Sequence, residues 1–369
     1  MGQYVRNLVR CLPRAAPDFE FLLLTDRRLP RSIVPEGCRQ VVLGLGLAAN
    51  SQSVSRFSYQ LHSVFWMNVL VPGVLARERV DLFHGANVVV PLVGRCRCAT
   101  TIPDLVSMRV PGTFTRFYEF YRRQAVSVAA RRAVRIVAIS DSTRRDIIEL
   151  LEVAPAKVTT IHLGVDSSFS PVEVLPELER VKQQLGLPNR FILHVGAVER
   201  QKRLEPLMVA AAEILGKGLI DGVVLAGEEG RGSEDVKRVV AELGISAQVR
   251  FLGYVAQESM PALYSLARCT VYPSWYEGFG MPVLEAMACG SPVITSNTSS
   301  LPEVAGDAGL LVPPGDSEAL AGALERVLAN ERFRNELISK GLARAGQFSW
   351  DTCAAKHADL YREVLAARC

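Results

Sequence analysis

Tyr272–Gly290, YPSWYEGFGMPVLEAMACG, is the stretch from which the rest of the chain can be read. An apolar run ends at Pro273. Gly278 and Gly280 follow, giving a loop whose bare backbone can approach a ligand. Pro282 suits the first turn of a helix and Gly290 its C-terminal cap, so a helix is predicted over Met281–Cys289. This order of strand, loop and helix puts the helix N-terminus at the carboxyl end of a parallel sheet. Open α/β folds bind ligands there, and free N–H groups at that end favour phosphate. Glu285 is the only charge in the helix, and an ion in an otherwise apolar helix needs a partner. Glu277 stands eight residues earlier, in the loop, so the two carboxylates are expected to line one crevice. The plainer alternative is that Glu285 answers the helix dipole and Glu277 is solvated.

The same alternation runs outward from this stretch. Towards the N-terminus it gives strands at Phe191–Val195, Gly222–Ala226, Val249–Leu252 and Cys269–Pro273, and the next is Pro292–Ser296. Helices near 201–215, 233–244, 257–267, 281–289 and 316–329 separate them. The first half repeats the pattern. Its strands are Phe21–Leu24, Gln40–Leu43, Asp81–His84, Cys98–Ile102, Arg135–Ser140 and Val158–Leu163, with helices at Ser58–Arg77, Thr113–Ala133 and Asp141–Leu151. Apolar, β-branched strands alternating with helices mean parallel sheets covered on both faces, and two such series mean two doubly wound α/β domains. A chain of 369 residues has room for both cores. The boundary is expected within Gly164–Pro188, which holds Ser167, Ser168, Pro171, Pro176 and the charged run Glu177–Gln184.

Hydrophobic residues make up 49% and charged residues 22%, the composition of a globular rather than a disordered protein. No apolar run reaches the ~18 residues of a membrane-spanning helix, and MGQYVRNLVRCLPR lacks the apolar core of a signal peptide. A cytoplasmic protein is therefore expected. The eight cysteines are scattered and form no CxxC pair, so no structural metal is expected from them. Residues 1–170 hold 22 Lys+Arg against 13 Asp+Glu, and the remainder holds 20 against 25. A basic N-terminal half suits an anionic partner such as lipid or a phosphorylated acceptor. No nucleic-acid-binding motif accompanies it. Phe114–Arg135 mixes Phe117, Tyr118, Phe120 and Tyr121 with Arg116, Arg122, Arg123, Arg131 and Arg132, a pattern of helices that lie on anionic membranes. A half-buried helix with a solvated arginine face has the same pattern. Gly44–Ala49 spells GxGxxA after a strand, but not the first strand, and the next ~20 residues hold no acidic residue for a ribose, so it is discounted as a dinucleotide fingerprint.

The central stretch resembles the E-x7-E signature of family 4 of retaining glycosyltransferases, with Glu277 and Glu285 as its two glutamates. Ser291–Asp316, His194–Ala210, Val224–Gly230 and Val249–Val255 are similar to further segments of that family, as are Val80–Asn87, Val134–Ile147 and Thr159–Asp166. The resemblance covers essentially the whole chain. It implies a GT-B fold: two Rossmann-like domains with an interdomain cleft. The implied division is an acceptor-side domain over 1–168, a nucleotide-sugar donor domain over 169–349, and a final helix over 350–369 crossing back to the first domain.

The resemblance also implies roles. Glu285 would hold the donor ribose. Glu277 and the amides of Gly278, Phe279 and Gly280 would hold the donor sugar and pyrophosphate. Lys202, with Arg200 nearby, would neutralise the diphosphate, and Gly253, Tyr254 and Val255 would face the nucleobase. A cation and helix N-terminal amides would then do the work of a metal, so none is expected. The implied reaction is transfer of a hexose, mannose first, from a nucleoside diphosphate sugar to a glycan or lipid-linked acceptor. That transfer would serve surface polysaccharide or glycolipid synthesis at the cytoplasmic membrane face.

Two departures stand out. The family has His-Asp where this chain reads Pro103-Asp104, and proline lacks the imidazole. His84, at another strand end, is the substitute by motif, with Asp104 beside it on the acceptor side; a packing histidine is the alternative, as it is for His194 inside a strand. The second departure is that Gly2–Leu12 reads as the helix that follows the family's first strand. A first domain of six strands is therefore expected, with Phe21–Leu24 and Asp81–His84 either flanking an open place or closing up on each other. An epimerase of related fold and a non-catalytic sugar-nucleotide binder are the competing functions.

Overall fold

The computed structural model describes residues 2–30, 33–44 and 65–367. The start of the expected helix Ser58–Arg77 and most of the Gly44–Ala49 run lie outside them. The chain divides into two compact units: residues 1–108, 114–164 and 349–369 form one, and 109–113 with 165–348 form the other.

Among its described residues the first unit holds two parallel sheets. In one, β1 (Phe21–Thr25) pairs with β2 (Cys38–Val42). In the other, β3 (Leu82–Gly85), β4 (Arg97–Ile102), β5 (Arg135–Ala138) and β6 (Val158–Thr160) lie in that order. Among the described residues no ladder joins β1 to β3. β4 is buried on both faces, and Cys98 and Ile102 pack with Val126, Ala129 and Ala130 of helix Arg116–Arg132 and with Ile136 and Ile147. Ser140 starts helix Asp141–Leu151 by accepting from the Thr143 amide at 3.0 Å, satisfying one of the helix's orphan donors. Helix Gly2–Ala15 packs along the final helix, Trp350–Ala366.

The second unit is one parallel sheet of six strands: β7 (Phe191–Val195), β8 (Gly222–Ala226), β9 (Val249–Gly253), β10 (Cys269–Tyr272), β11 (Val293–Ser296) and β12 (Gly309–Val312). Their spatial order is β12-β11-β10-β7-β8-β9, so the winding reverses between β7 and β10. β8 and β10 are buried throughout, as strands covered by helices on both faces must be.

Some elements depart from the sequence reading. The charged run expected to be part of a linker is helix Leu175–Leu185, started by Pro176 and closed by Gly186 in the left-handed region. β12 and helix Glu331–Ala345 were not foreseen. Among the described residues all cysteines are free thiols, and no helix is long and apolar enough to cross a membrane.

Candidate active site

In a doubly wound sheet the loops after the two strands at the reversal diverge to opposite faces and leave a crevice at their carboxyl ends. Here those strands are β7 and β10. The loop after β7 carries Lys202, and the loop after β10 carries Glu277. The fold brings the two together: Lys202 Nζ lies 2.5 Å from Glu277 Oε1 and 2.5 Å from the Tyr272 hydroxyl. Their side chains keep only 12% and 16% of their surface, so this is a largely desolvated ion pair rather than a solvated lysine. Burial alone would lower the lysine pKa. The Glu277 carboxylate and the Tyr272 oxygen more than reverse that, and the ammonium stays charged. Burial and the neighbouring Glu277 push the Tyr272 phenol up, so it remains a hydroxyl.

The Glu277 loop is tied down by two serines. The Glu277 amide donates to Ser299 Oγ at 3.0 Å, and the carbonyls of Glu277 and Phe279, each 2.9 Å from Ser300 Oγ, share its one hydrogen. Gly280 holds φ near +100°, which an L side chain rarely adopts, and it turns the loop into helix Met281–Ala288. Glu285, one turn into that helix, is buried. Its partner is Tyr264, whose hydroxyl donates to Oε2 at 3.0 Å. Burial raises the Glu285 carboxyl to about 7, Tyr264 opposes the rise, and Asp166 adds to it. A carboxylate poised this way gains from any further donor offered to it.

The remaining expected residues are placed less centrally. Gly278 follows Glu277 directly and Phe279 is buried. Arg200 is exposed and paired with Asp235 at 3.3 Å, turned to the surface rather than to Lys202. Gly253 ends β9 with φ +64, Val255 is buried, and Tyr254 presents 76% of its surface to solvent. Four buried polar atoms have no hydrogen-bond partner at this edge of the sheet: His194 Nε2 near the end of β7, Gln201 Oε1, Ser274 Oγ after β10 and Ser296 Oγ ending β11. Such atoms are rare inside native proteins and mark a place built for something more than packing.

In the first unit His84 and Asp104 occupy different settings. Asp104 caps the short helix Val106–Arg109 through the Val106 amide, at 3.2 Å. Pro103 offers only its carbonyl, which accepts from Thr143 Oγ1 at 3.4 Å. His84 belongs to a polar chain whose hydrogens can be assigned from one end. His357 Nδ1 lies 2.8 Å from the Cys353 carbonyl and must donate to it, so Nε2 accepts from Tyr4 at 3.1 Å. The Tyr4 oxygen then accepts from Thr101 at 2.8 Å, Thr101 from His84 Nε2 at 2.9 Å, and His84 Nδ1 from Tyr361 at 2.5 Å. Burial holds His84 near 3 and His357 near 4, so both are neutral, as the chain requires. Both His84 nitrogens are thus committed to structure. His194 is buried and stacked on Tyr272, as a core histidine would be.

Sequence reasoning missed Tyr264, Tyr272, Ser299 and Ser300. Each is the partner of an expected residue, and the one available signal was that Glu285 needed a partner.

Comparison with known proteins places the chain in a family. The family model for glycosyl transferases group 1 matches residues 177–344, and that for glycosyltransferase family 4 matches residues 1–169. The O-antigen chain mannosyltransferase B of Escherichia coli is 35% identical over 286 residues, 76% of this chain and 74% of that protein. The chain belongs to family 4 of the glycosyltransferases. It is a glycosyltransferase. Among solved structures, sucrose-phosphate synthase from Thermosynechococcus elongatus superposes with a TM-score of 0.78 at 24% identity, covering 99% of this chain and 94% of that one. Anabaena HepE, solved in complex with UDP and glucose, gives 0.73 at 20% identity, with 96% and 95% covered. These likenesses show that the fold is GT-B.

Proposed function

We propose that this glycosyltransferase moves a hexose, mannose in the first instance, from a nucleoside diphosphate sugar to a glycan or lipid-linked acceptor in surface polysaccharide synthesis, with retention at the anomeric carbon and without a metal. The observation that carries it is the Lys202–Glu277–Tyr272 cluster beside buried Glu285 at the strand reversal. Glu285 accepts from the ribose hydroxyls. Lys202 and the N–H groups opening helix Met281–Ala288 neutralise the charge that grows on the diphosphate as the glycosidic bond breaks, the work a divalent cation would otherwise do. Glu277 accepts from hydroxyls of the transferred sugar, and exposed Tyr254 offers a face for the base. The mannosyl preference is supported by the O-antigen relative, and a nucleotide donor by the HepE complex with UDP.

The first unit supports an anionic membrane surface as a further partner. Phe117 and Phe120 each expose 63% of their surface on helix Arg116–Arg132, among exposed Arg116, Arg123 and Arg131. This suits peripheral work on the cytoplasmic face. The test is to incubate the protein with GDP-mannose or UDP-glucose in chelator, measure donor turnover, and read the anomeric configuration of the product by NMR. Turnover that needs added metal, an inverted product, or an epimerised donor would each overturn a named part of the proposal.

A further inference from the structure

His194 lies on β7 with no exposed surface, and its Nδ1 is 3.0 Å from the Val271 carbonyl. A carbonyl oxygen only accepts, so Nδ1 carries the hydrogen. Burial, assisted by the charge of Lys202, drives the ring's pKa down to about 3. The imidazole is therefore neutral, with its lone pair on Nε2. That atom is buried and has no hydrogen-bond partner. The ring stacks on Tyr272 at 5.4 Å and 14°, and its Nδ1–H answers the Val271 carbonyl, but neither contact uses the lone pair on Nε2.

Lys202 supplies the explanation. A Cβ built on Gly196 would lie 3.7 Å from His194 Nε2 and 3.9 Å from Lys202 Nζ, so both nitrogens border one small space. Glycine keeps that space open, and φ +140 at Gly196 disfavours any side chain there. Lys202 has three ammonium protons; Tyr272 and Glu277 take two. A donor sugar that engages Glu277 draws it from the pair, and the ammonium must then stay where the diphosphate arrives rather than follow the carboxylate.

We propose that His194 is a positioning residue: its Nε2 accepts the third ammonium proton of Lys202 when Glu277 turns to the donor sugar, and so keeps the cation aimed at the diphosphate. The inference rests on the reading of Lys202 given above and adds the element that fixes it.

The test uses the full chain, with UDP and GDP as binding probes and donor turnover as the kinetic readout. His194→Phe, which also gives up the Val271 hydrogen bond, should still fold, with a Tm a few degrees below that of the wild type at pH 8, and keep the KM for donor within about threefold. Its kcat should fall about tenfold, since the misplaced cation serves the departing diphosphate more than the bound one. His194→Gln, which restores an acceptor, should recover most of that loss. In a Lys202→Ala background His194→Phe should cost nothing further. Wild-type kcat in His194→Phe, or equal losses in both backgrounds, would overturn the proposal. If His194→Phe fails to fold, a kcat in folded His194→Gln below that expected from Lys202→Ala would do the same. The reading of Lys202 fails separately, if Lys202→Ala leaves turnover unchanged while His194→Phe lowers it. Should the wild type neither bind UDP or GDP nor turn over a donor, Glu277→Gln takes the carboxylate from the pair as a donor sugar would; His194→Phe should then lower the Tm more in the Glu277→Gln background than in the wild type, and equal losses in both would refute the contact.

Discussion

Replacing Glu285 with glutamine should stabilise the protein, and by an amount that depends on pH. The carboxyl's ordinary value is 4.5, and burial raises it to about 7. Below pH 4.5 the group is protonated in both the folded and unfolded chain and costs nothing. Between 4.5 and 7 the unfolded chain ionises while the folded one holds its proton, so each pH unit removes about 1.4 kcal/mol of stability. Above 7 the loss is constant at roughly 3 kcal/mol. Glu285→Gln removes this dependence while its amide oxygen can still accept from Tyr264. Any penalty from its buried N–H is the same at every pH, so the difference between pH values is the quantity to read.

Thermal unfolding at pH 4.5 and pH 8 should show the variant gaining about 6 °C or more on the wild type between the two, taking about 2–4 °C per kcal/mol. The same variant should bind nucleoside diphosphate at least about tenfold more weakly, because a neutral amide is the poorer acceptor for ribose hydroxyls. In the wild type, affinity should rise with pH through about 7, as the carboxylate forms. Parallel stability curves for variant and wild type would refute the reasoning, since the burial of Glu285 would then carry no electrostatic cost to recover.

Lys202→Met should destabilise the second unit by about 3 kcal/mol in urea titrations, because it leaves Glu277 desolvated and unpaired, and Lys202→Met with Glu277→Gln should cost less than the single variant. Thr101→Val breaks the polar chain at its centre, orphaning the His84 Nε2–H; a loss of about 2 kcal/mol in urea titrations is expected, against almost none for Thr159→Val on the exposed side of β6. His84 and His357 have folded values of about 3 and 4, below the ordinary 6.5, so their neutral forms cost nothing above pH 6.5. Between 6.5 and 4 the unfolded chain takes up protons that the folded chain refuses, and His357→Gln should flatten the acid limb of the stability curve by about 2 kcal/mol at pH 5. Liposome sedimentation should require anionic lipid and weaken with salt, and Phe117→Ser with Phe120→Ser should abolish it; equal binding to neutral vesicles would leave only a solvated arginine face.

The strand–helix alternation of both units was legible because each strand's signal is local. Val223, Val224 and Leu225 or Val271 and Tyr272 need no knowledge of their neighbours to be read as buried strand. The signal failed where local chemistry pointed two ways. Leu175–Leu185 opens on a proline and carries charges, which mark a linker as readily as a helix N-terminus. β12 is a four-residue edge strand with one buried side chain, followed by two prolines.

At the site, Glu277 and Glu285 could be named from spacing and residue type and Lys202 from the family resemblance, but not what they touch. The Lys202–Glu277 pair spans 75 residues, Lys202–Tyr272 spans 70, and Tyr264 reaches Glu285 across 21. The first two contacts exist because β10 lies beside β7, a fact of strand order that no local pattern encodes. The chain by itself determined the periodicities, the glycines that turn the loops, and the charges that chemistry would need. The tertiary structure decided which of those charges are stripped of water and set against each other. Desolvation and distance govern electrostatic energy, and both are properties of packing rather than of sequence.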